Sequence, residues 1–170
     1  MRTAVLALLL VGAAIAVSGQ SSDSKLQGQL KQIFPSATGF SPKEGQPPHF
    51  KVYAGGQTVS GYAFWTTELE PLERAYDGPI KILVGMDTKG VLAGIIVVDH
   101  NEPYGNFSID PPQFAAQFKN KSIRDPFKVG ADIDAVSRAS ISITSATRAI
   151  RNSARRIARA FLTPPEAGGK

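Results

Sequence analysis

The clearest periodicity in the chain lies near its end. Ile150, Ala154, Ile157, Ala158 and Phe161 recur at i, i+4, i+7, i+8 and i+11, with Arg148, Arg151, Arg155 and Arg159 on the opposite side. That spacing predicts an amphipathic helix, stopped by Pro164-Pro165. Two earlier stretches have the shorter period of strands. "FKVYAGGQTVSGYAFWT" is a pair of β-rich runs around Gly55-Gly56, and "IKILVGMDTKGVLAGIIVV" is a second pair turning near residues 87–90, so each reads as a hairpin. The arm over residues 91–98 is almost continuously apolar, the pattern of a central strand covered on both faces. Residues 26–34 have helical spacing up to Pro35, and residues 20–27 read as a loose polar segment. "PPQFAAQF" reads as a short helix opening at proline, while "GFSPKEGQPPHF" and "ELEPLERAYDGP" are connections. No internal repeat is visible. The pattern is α+β: a mostly antiparallel sheet with packed helices and a long C-terminal amphipathic helix.

The beginning of the chain follows another rule. Met1-Arg2-Thr3 supplies a positive start, residues 4–17 are an unbroken apolar run, and Ser18-Gly19-Gln20-Ser21 is small and polar. This is the three-part pattern of a secretory signal peptide, and the run falls short of the roughly 20 residues that span a bilayer as a helix. Residues 1–19 therefore read as a signal peptide, or as an uncleaved N-terminal anchor that would associate the protein with a membrane. Residues 20–170 read as a single domain in an extracytoplasmic, periplasmic setting.

Composition narrows the chemistry. A chain of 170 residues with 42% hydrophobic and 19% charged residues has the makeup of a folded domain with a proper core. It has no cysteine, which excludes thiolate-held iron–sulfur clusters, c-type haem attachment and cysteine zinc sites. The two histidines, His49 and His100, lie far apart and argue against a histidine metal site. The net charge of +5 is concentrated in Arg138, Arg148, Arg151, Arg155, Arg156 and Arg159. Such a surface suits an acidic protein or anionic lipid, or is a solvated helix face; the export signal counts against nucleic acid.

The most unusual stretch is "DAVSRASISITSATRAI", residues 134–150. Ser137, Ser140, Ser142, Thr144, Ser145 and Thr147 place six hydroxyls before or within the first turns of the predicted helix. Capping requires one hydroxyl, whereas unpaired N–H groups and the helix dipole make such a place attractive to a phosphate.

Residues Asp134 to Ser140, "DAVSRAS", resemble the flavinylation motif D-x-x-(S/T)-G-A-(T/S) of the FMN-binding domain family. "HNEPYG", residues 100–105, follows an apolar strand where that family carries an E-T-P-G-like turn. The phrases "GPIKILVGMD", "HNEPYGNFSID" and "FAAQFKNKSIRDPF" look most like the N-terminal flavin domain of the regulatory and maturation membrane flavoproteins of nitrous oxide respiration. The resemblance runs over about residues 26–161. It implies an electron carrier rather than a catalyst with its own substrate, loaded by a separate flavin transferase that moves FMN from FAD onto Ser140 as a phosphodiester. It further implies that Asp134, Ser137 and Ala139 are read by the transferase and that Thr144 neighbours the phosphate. Glu102, Pro103, Tyr104 and Gly105 would line the flavin pocket, Tyr104 or Phe107 would stack on the ring, and Arg138 or Arg148 would balance charge. The implied partner is a membrane or extracytoplasmic redox protein. Two departures stand out: Arg138 occupies the motif's glycine position, and Ser140 stands where threonine is commoner. A non-redox ligand- or partner-binding module of the same fold is the alternative. A serine hydrolase would need His49 or His100 as its base.

Overall fold

The computed structural model describes residues 20–162. Five strands form one sheet in chain order, β1 (Gly39–Phe40), β2 (Phe50–Tyr53), β3 (Val59–Trp65), β4 (Lys81–Asp87) and β5 (Leu92–Asp99). Every neighbouring pair is antiparallel. Both hairpins form as the alternation predicts, with Tyr53 facing Val59 across the first turn and Met86 facing Leu92 across the second.

Helix α1 (Gln20–Ile33) covers one face, packing Leu30 and Ile33 against Ala63, Trp65 and Leu83. It approaches so closely that a Cβ on Gly85 would stand 2.4 Å from Ile33 Cγ2. Helix α5 (Ser140–Phe161) covers the other face, with Ile143, Ile150, Ala154 and Ile157 against Phe64, Ile82, Val84 and Met86. Short helices α2 (Thr66–Leu69), α3 (Gly105–Ser108) and α4 (Pro112–Ala116) fill the connections. The result is a three-layer α+β arrangement with a mixed core on each side of the sheet.

Two sequence readings change. The strand buried on both faces is β4, whose residues 82–86 are all buried, whereas β5 is an edge strand. The apolar run in β5 has a local cause. Gly85 pairs with Gly94 but Met86 pairs with Leu92, so the register skips a residue at Ala93. After this bulge Ile95 and Val97 face one core while Ala93, Ile96 and Val98 face the other. The strand is covered on two faces without being central. The second change is at α1, which begins at Gln20 rather than near residue 26, because its first turns are polar and carry no apolar period to read. The signal-peptide or anchor reading of residues 1–19, and the stop at Pro164-Pro165, lie outside the described residues.

Candidate functional site

The site forms at the N-terminal end of α5, where the helix emerges from a tight turn. Ala139 is the N-cap residue and no side chain caps the helix; the backbone N–H of Ile143 donates to Ala139 O at 3.0 Å. The N–H groups ahead of it have no acceptor within the helix, so the positive end of the dipole is left for another group. The preceding residue, Arg138, has φ +69°, in the left-handed region that glycine occupies freely and other residues rarely do. An arginine thus holds a backbone shape that glycine would take freely.

The six hydroxyls divide by environment. Ser137, Ser140 and Thr144 are exposed. Ser142, Ser145 and Thr147 are buried. Two of the buried ones bind carboxylates from distant loops. Ser142 Oγ donates to Glu102 in a very short hydrogen bond, and Ser145 Oγ donates to Glu73 Oε1 at 3.0 Å. Thr147 Oγ1 has no hydrogen-bond partner. Two of the six hydroxyls thus serve loop attachment, while Ser137, Ser140 and Thr144 stay exposed around the start of the helix.

Glu102 is 6% exposed and acts as a clamp. Its Oε1 accepts the N–H of Asp77 at 2.9 Å and its Oε2 accepts that of Tyr76 at 3.2 Å, alongside Ser142. Three donors from two elements satisfy this buried carboxylate. One turn away, Glu73 accepts two hydrogen bonds from the Arg148 guanidinium at 2.7 and 2.8 Å. This bidentate contact, with the charge of Glu73, raises the Arg148 pKa further above its ordinary value. Both carboxylates tie residues 73–77 to α5, and Tyr76 is held beside Ser140.

A cleft of about 450 Å³ results, lined by Tyr76, Pro103, Tyr104 and residues 138–142. Its walls are aromatic and apolar, and three of them face solvent strongly: Tyr76 is 71% exposed, Ile141 57% and Tyr104 44%. The Tyr104 and Phe107 rings lie 5.4 Å apart. A second, smaller cleft of about 270 Å³ abuts the first and is polar and basic, lined by Arg74, Ser140, Ile141, Thr144 and Arg148. Ser140 and Ile141 border both. Ser140, Thr144 and Arg148 follow one another at i, i+4 and i+8 along one row of the helix.

Residues 75–155 match the FMN-binding domain family. No curated protein matches the chain. The matched stretch starts beside Tyr76, takes in β4 and β5, and ends within α5. It supports FMN binding, hence a flavoprotein, and a flavin-binding electron-transfer module.

The expected site residues fall on the structure in three groups. Pro103, Tyr104, Ala139 and Ser140 line the aromatic cleft and Thr144 lines the basic one. Glu102 and Gly105 are buried and stand behind the cleft rather than in its wall. Asp134 and Ser137 are exposed and line neither cleft; the Asp134 N–H donates to Gln117 Oε1 at 2.7 Å. Tyr76, Ile141, Glu73 and Arg74 are additions. The first two could have been suspected only as bulky apolar residues within polar segments. Glu73 and Arg74 sit in a charged connection with no pattern that separates them from solvated residues.

The arginines of α5 are more committed than a solvated face would be. Arg155 donates to Ile123 O and Asp125 O, both at 2.9 Å, and Arg156 donates to Leu69 O at 2.6 Å. Neither histidine serves as a base at Ser140. His100 uses Nδ1 to accept the Glu102 N–H at 3.0 Å and Nε2 to bind Asp110 at 2.8 Å. His49 packs against Phe161 with ring centroids 4.2 Å apart, at the far end of a helix about 30 Å long. Among the described residues no cluster of His, Cys, Asp or Glu could hold a metal ion, and no helix is long and apolar enough to cross a membrane.

Proposed function

We propose that this chain is an extracytoplasmic, periplasmic electron carrier with FMN joined to Ser140 as a phosphodiester. One observation carries the reading: an exposed serine at an uncapped helix N-terminus stands at the border of an aromatic cleft and a basic one. FMN has the same division, a flat apolar ring at one end and a phosphate at the other. The residues fit the group, because the phosphate finds the helix dipole, Arg74 and Arg148, and the ring finds Tyr76, Pro103 and Tyr104.

In attachment by a flavin transferase, the Ser140 oxygen would form a bond to the FMN phosphorus of FAD. The pyrophosphate bond breaks, AMP leaves and the serine proton is lost. Asp134 and Ser137 lie exposed ahead of Ser140, accessible to a second protein. Bound FMN supplies the redox chemistry, taking up and releasing one or two electrons. The chain's own contribution is to hold the ring side open to solvent through Tyr76, Tyr104 and Ile141, where a membrane or extracytoplasmic redox partner can approach. A covalent tether suits a compartment in which lost FMN is not replaced.

Intact mass decides the attachment. Full-length chain co-expressed with a flavin transferase and exported should gain about one FMN less a water, and Ser140→Ala should gain nothing. Equal gain in the variant would move the linkage elsewhere, and no gain in the parent would sink the covalent reading.

A further inference from the structure

Arg138 is one of the two positions where this chain departs from the flavinylation motif, and the structure gives that departure a cost and a location. Its φ of +69° is a conformation in which a Cβ crowds the backbone, so a side chain is kept there against local preference. Strain of this kind persists where surrounding structure enforces it, and it concentrates at working sites. Nothing within the fold compensates for it. Among the described residues, no hydrogen bond or ion pair engages the Arg138 guanidinium. Arg148, Arg155 and Arg156 are all held by acceptors.

The location is specific. Eight residues line the aromatic cleft, and Arg138 is the only charged one among them. The other cations near Ser140, Arg74 and Arg148, belong to the basic cleft on its other side. Arg138 therefore sits with Tyr76, Pro103 and Tyr104, on the ring side of the serine rather than on the phosphate side. The buried Glu102, next to Pro103 in the chain, is occupied by two backbone N–H groups and the Ser142 hydroxyl.

We propose that Arg138 sets the redox balance of the flavin by stabilising negative charge on the reduced ring. This rests on the reading that FMN is carried on Ser140. Two-electron reduction with uptake of one proton leaves the ring with one net negative charge. The electrons come from a redox-partner protein in the cell and from dithionite in the test. An uncommitted guanidinium in the ring cleft lowers the energy of that charged state relative to the neutral oxidised one, and so favours the electron-loaded carrier. The role is one of tuning; Arg138 passes no proton or electron itself.

The test uses flavin-loaded full chain carrying arginine, lysine, glutamine or glycine at position 138. Loading is established by intact mass before each reductive titration with dithionite and mediator dyes, followed by flavin absorbance. At a fixed potential, Arg138→Gln and Arg138→Gly should each lower the ratio of reduced to oxidised flavin by about tenfold, and Arg138→Lys should stay within about twofold of the parent. Glycine relieves the backbone and restores the motif residue, so a loading defect in the glutamine variant leaves the glycine and lysine pair to decide. Loaded neutral variants with an unchanged ratio overturn the tuning role while leaving the carrier intact. A parent that takes up no flavin overturns the carrier reading, and this inference with it. Equal loss in the lysine and neutral variants also overturns it, because a shape effect would then be at work rather than charge.

Discussion

Gly105 is where a single hydrogen atom matters most at the site. A Cβ built there would fall 2.1 Å from His100 Cε1 and 2.9 Å from both ring nitrogens. The ring has little freedom to retreat, because it accepts the Glu102 N–H and is bound to Asp110 at its other nitrogen. Gly105→Ala should therefore destabilise the protein by about 1–3 kcal/mol, the usual cost of forcing a methyl into packed surroundings. Urea unfolding would measure it. Combining it with His100→Ala should recover much of the loss, since the clashing partner is then gone. Additive losses would mean that the glycine is needed for its backbone rather than for its closeness to the imidazole. Arg138 is the complementary case, a side chain retained where glycine would be easier.

At the scale of elements, the segment that leads into α5 is organised by Asp132. Its carboxylate accepts the N–H of Phe127 at 3.0 Å, the N–H of Lys128 at 2.5 Å and the Lys121 ammonium at 3.0 Å. This holds Phe127 at φ +50° with its ring buried in the core. Partial burial alone would raise the carboxyl, but the Lys128 N–H, the Lys121 ammonium and the Phe127 N–H together hold its pKa below the ordinary carboxylate value. A depressed carboxyl stabilises the fold above its unfolded value, about 4, and that contribution fades as pH falls through the lower folded value. Asp132→Asn should thus cost about 1 kcal/mol at neutral pH, and parent and variant should converge once the pH falls below the lowered folded value. Thermal melts across pH check this, and a constant gap down to acid would assign the effect to shape instead of charge.

The elements that could be read from sequence are those whose cause is local. Helix α5 announces itself by a 3.6-residue period and both hairpins by alternation around turn residues. The misplacement of β5 has a physical origin, since an apolar run reports coverage of two faces and says nothing of how many strands lie alongside. Residues 138–140 and 103–104, which line the aromatic cleft, could be singled out from sequence because each belongs to a short motif with a fixed spacing. The links from Glu73 to Arg148 and from Glu102 to Ser142 join residues 75 and 40 positions apart, and no local pattern encodes them. Tyr76 came to the site through such links, as a passenger of the Glu102 clamp.

At the scale of the molecule, the sheet separates two cores that, among the described residues, share none. One lies under α1 and contains Leu30, Ile33, Trp65 and Leu83; the other lies under α5 and contains Phe64, Val84, Met86 and Ile150. The candidate site belongs entirely to the α5 side. Stacked layers lie about 10 Å apart, and substitutions at that separation without shared partners usually add. Ile33→Val and Ile150→Val should each cost about 0.5–1.5 kcal/mol, the range for trimming one methyl from a packed core. The double variant should lose their sum to within about 0.5 kcal/mol in urea unfolding. Ile33→Val should also leave flavin uptake, where it occurs, unchanged, because Ile33 packs in the core on the α1 side of the sheet. A coupling well outside that margin would show that the sheet transmits packing strain between its faces. The candidate site would then answer to events at α1, the helix over Gln20–Ile33.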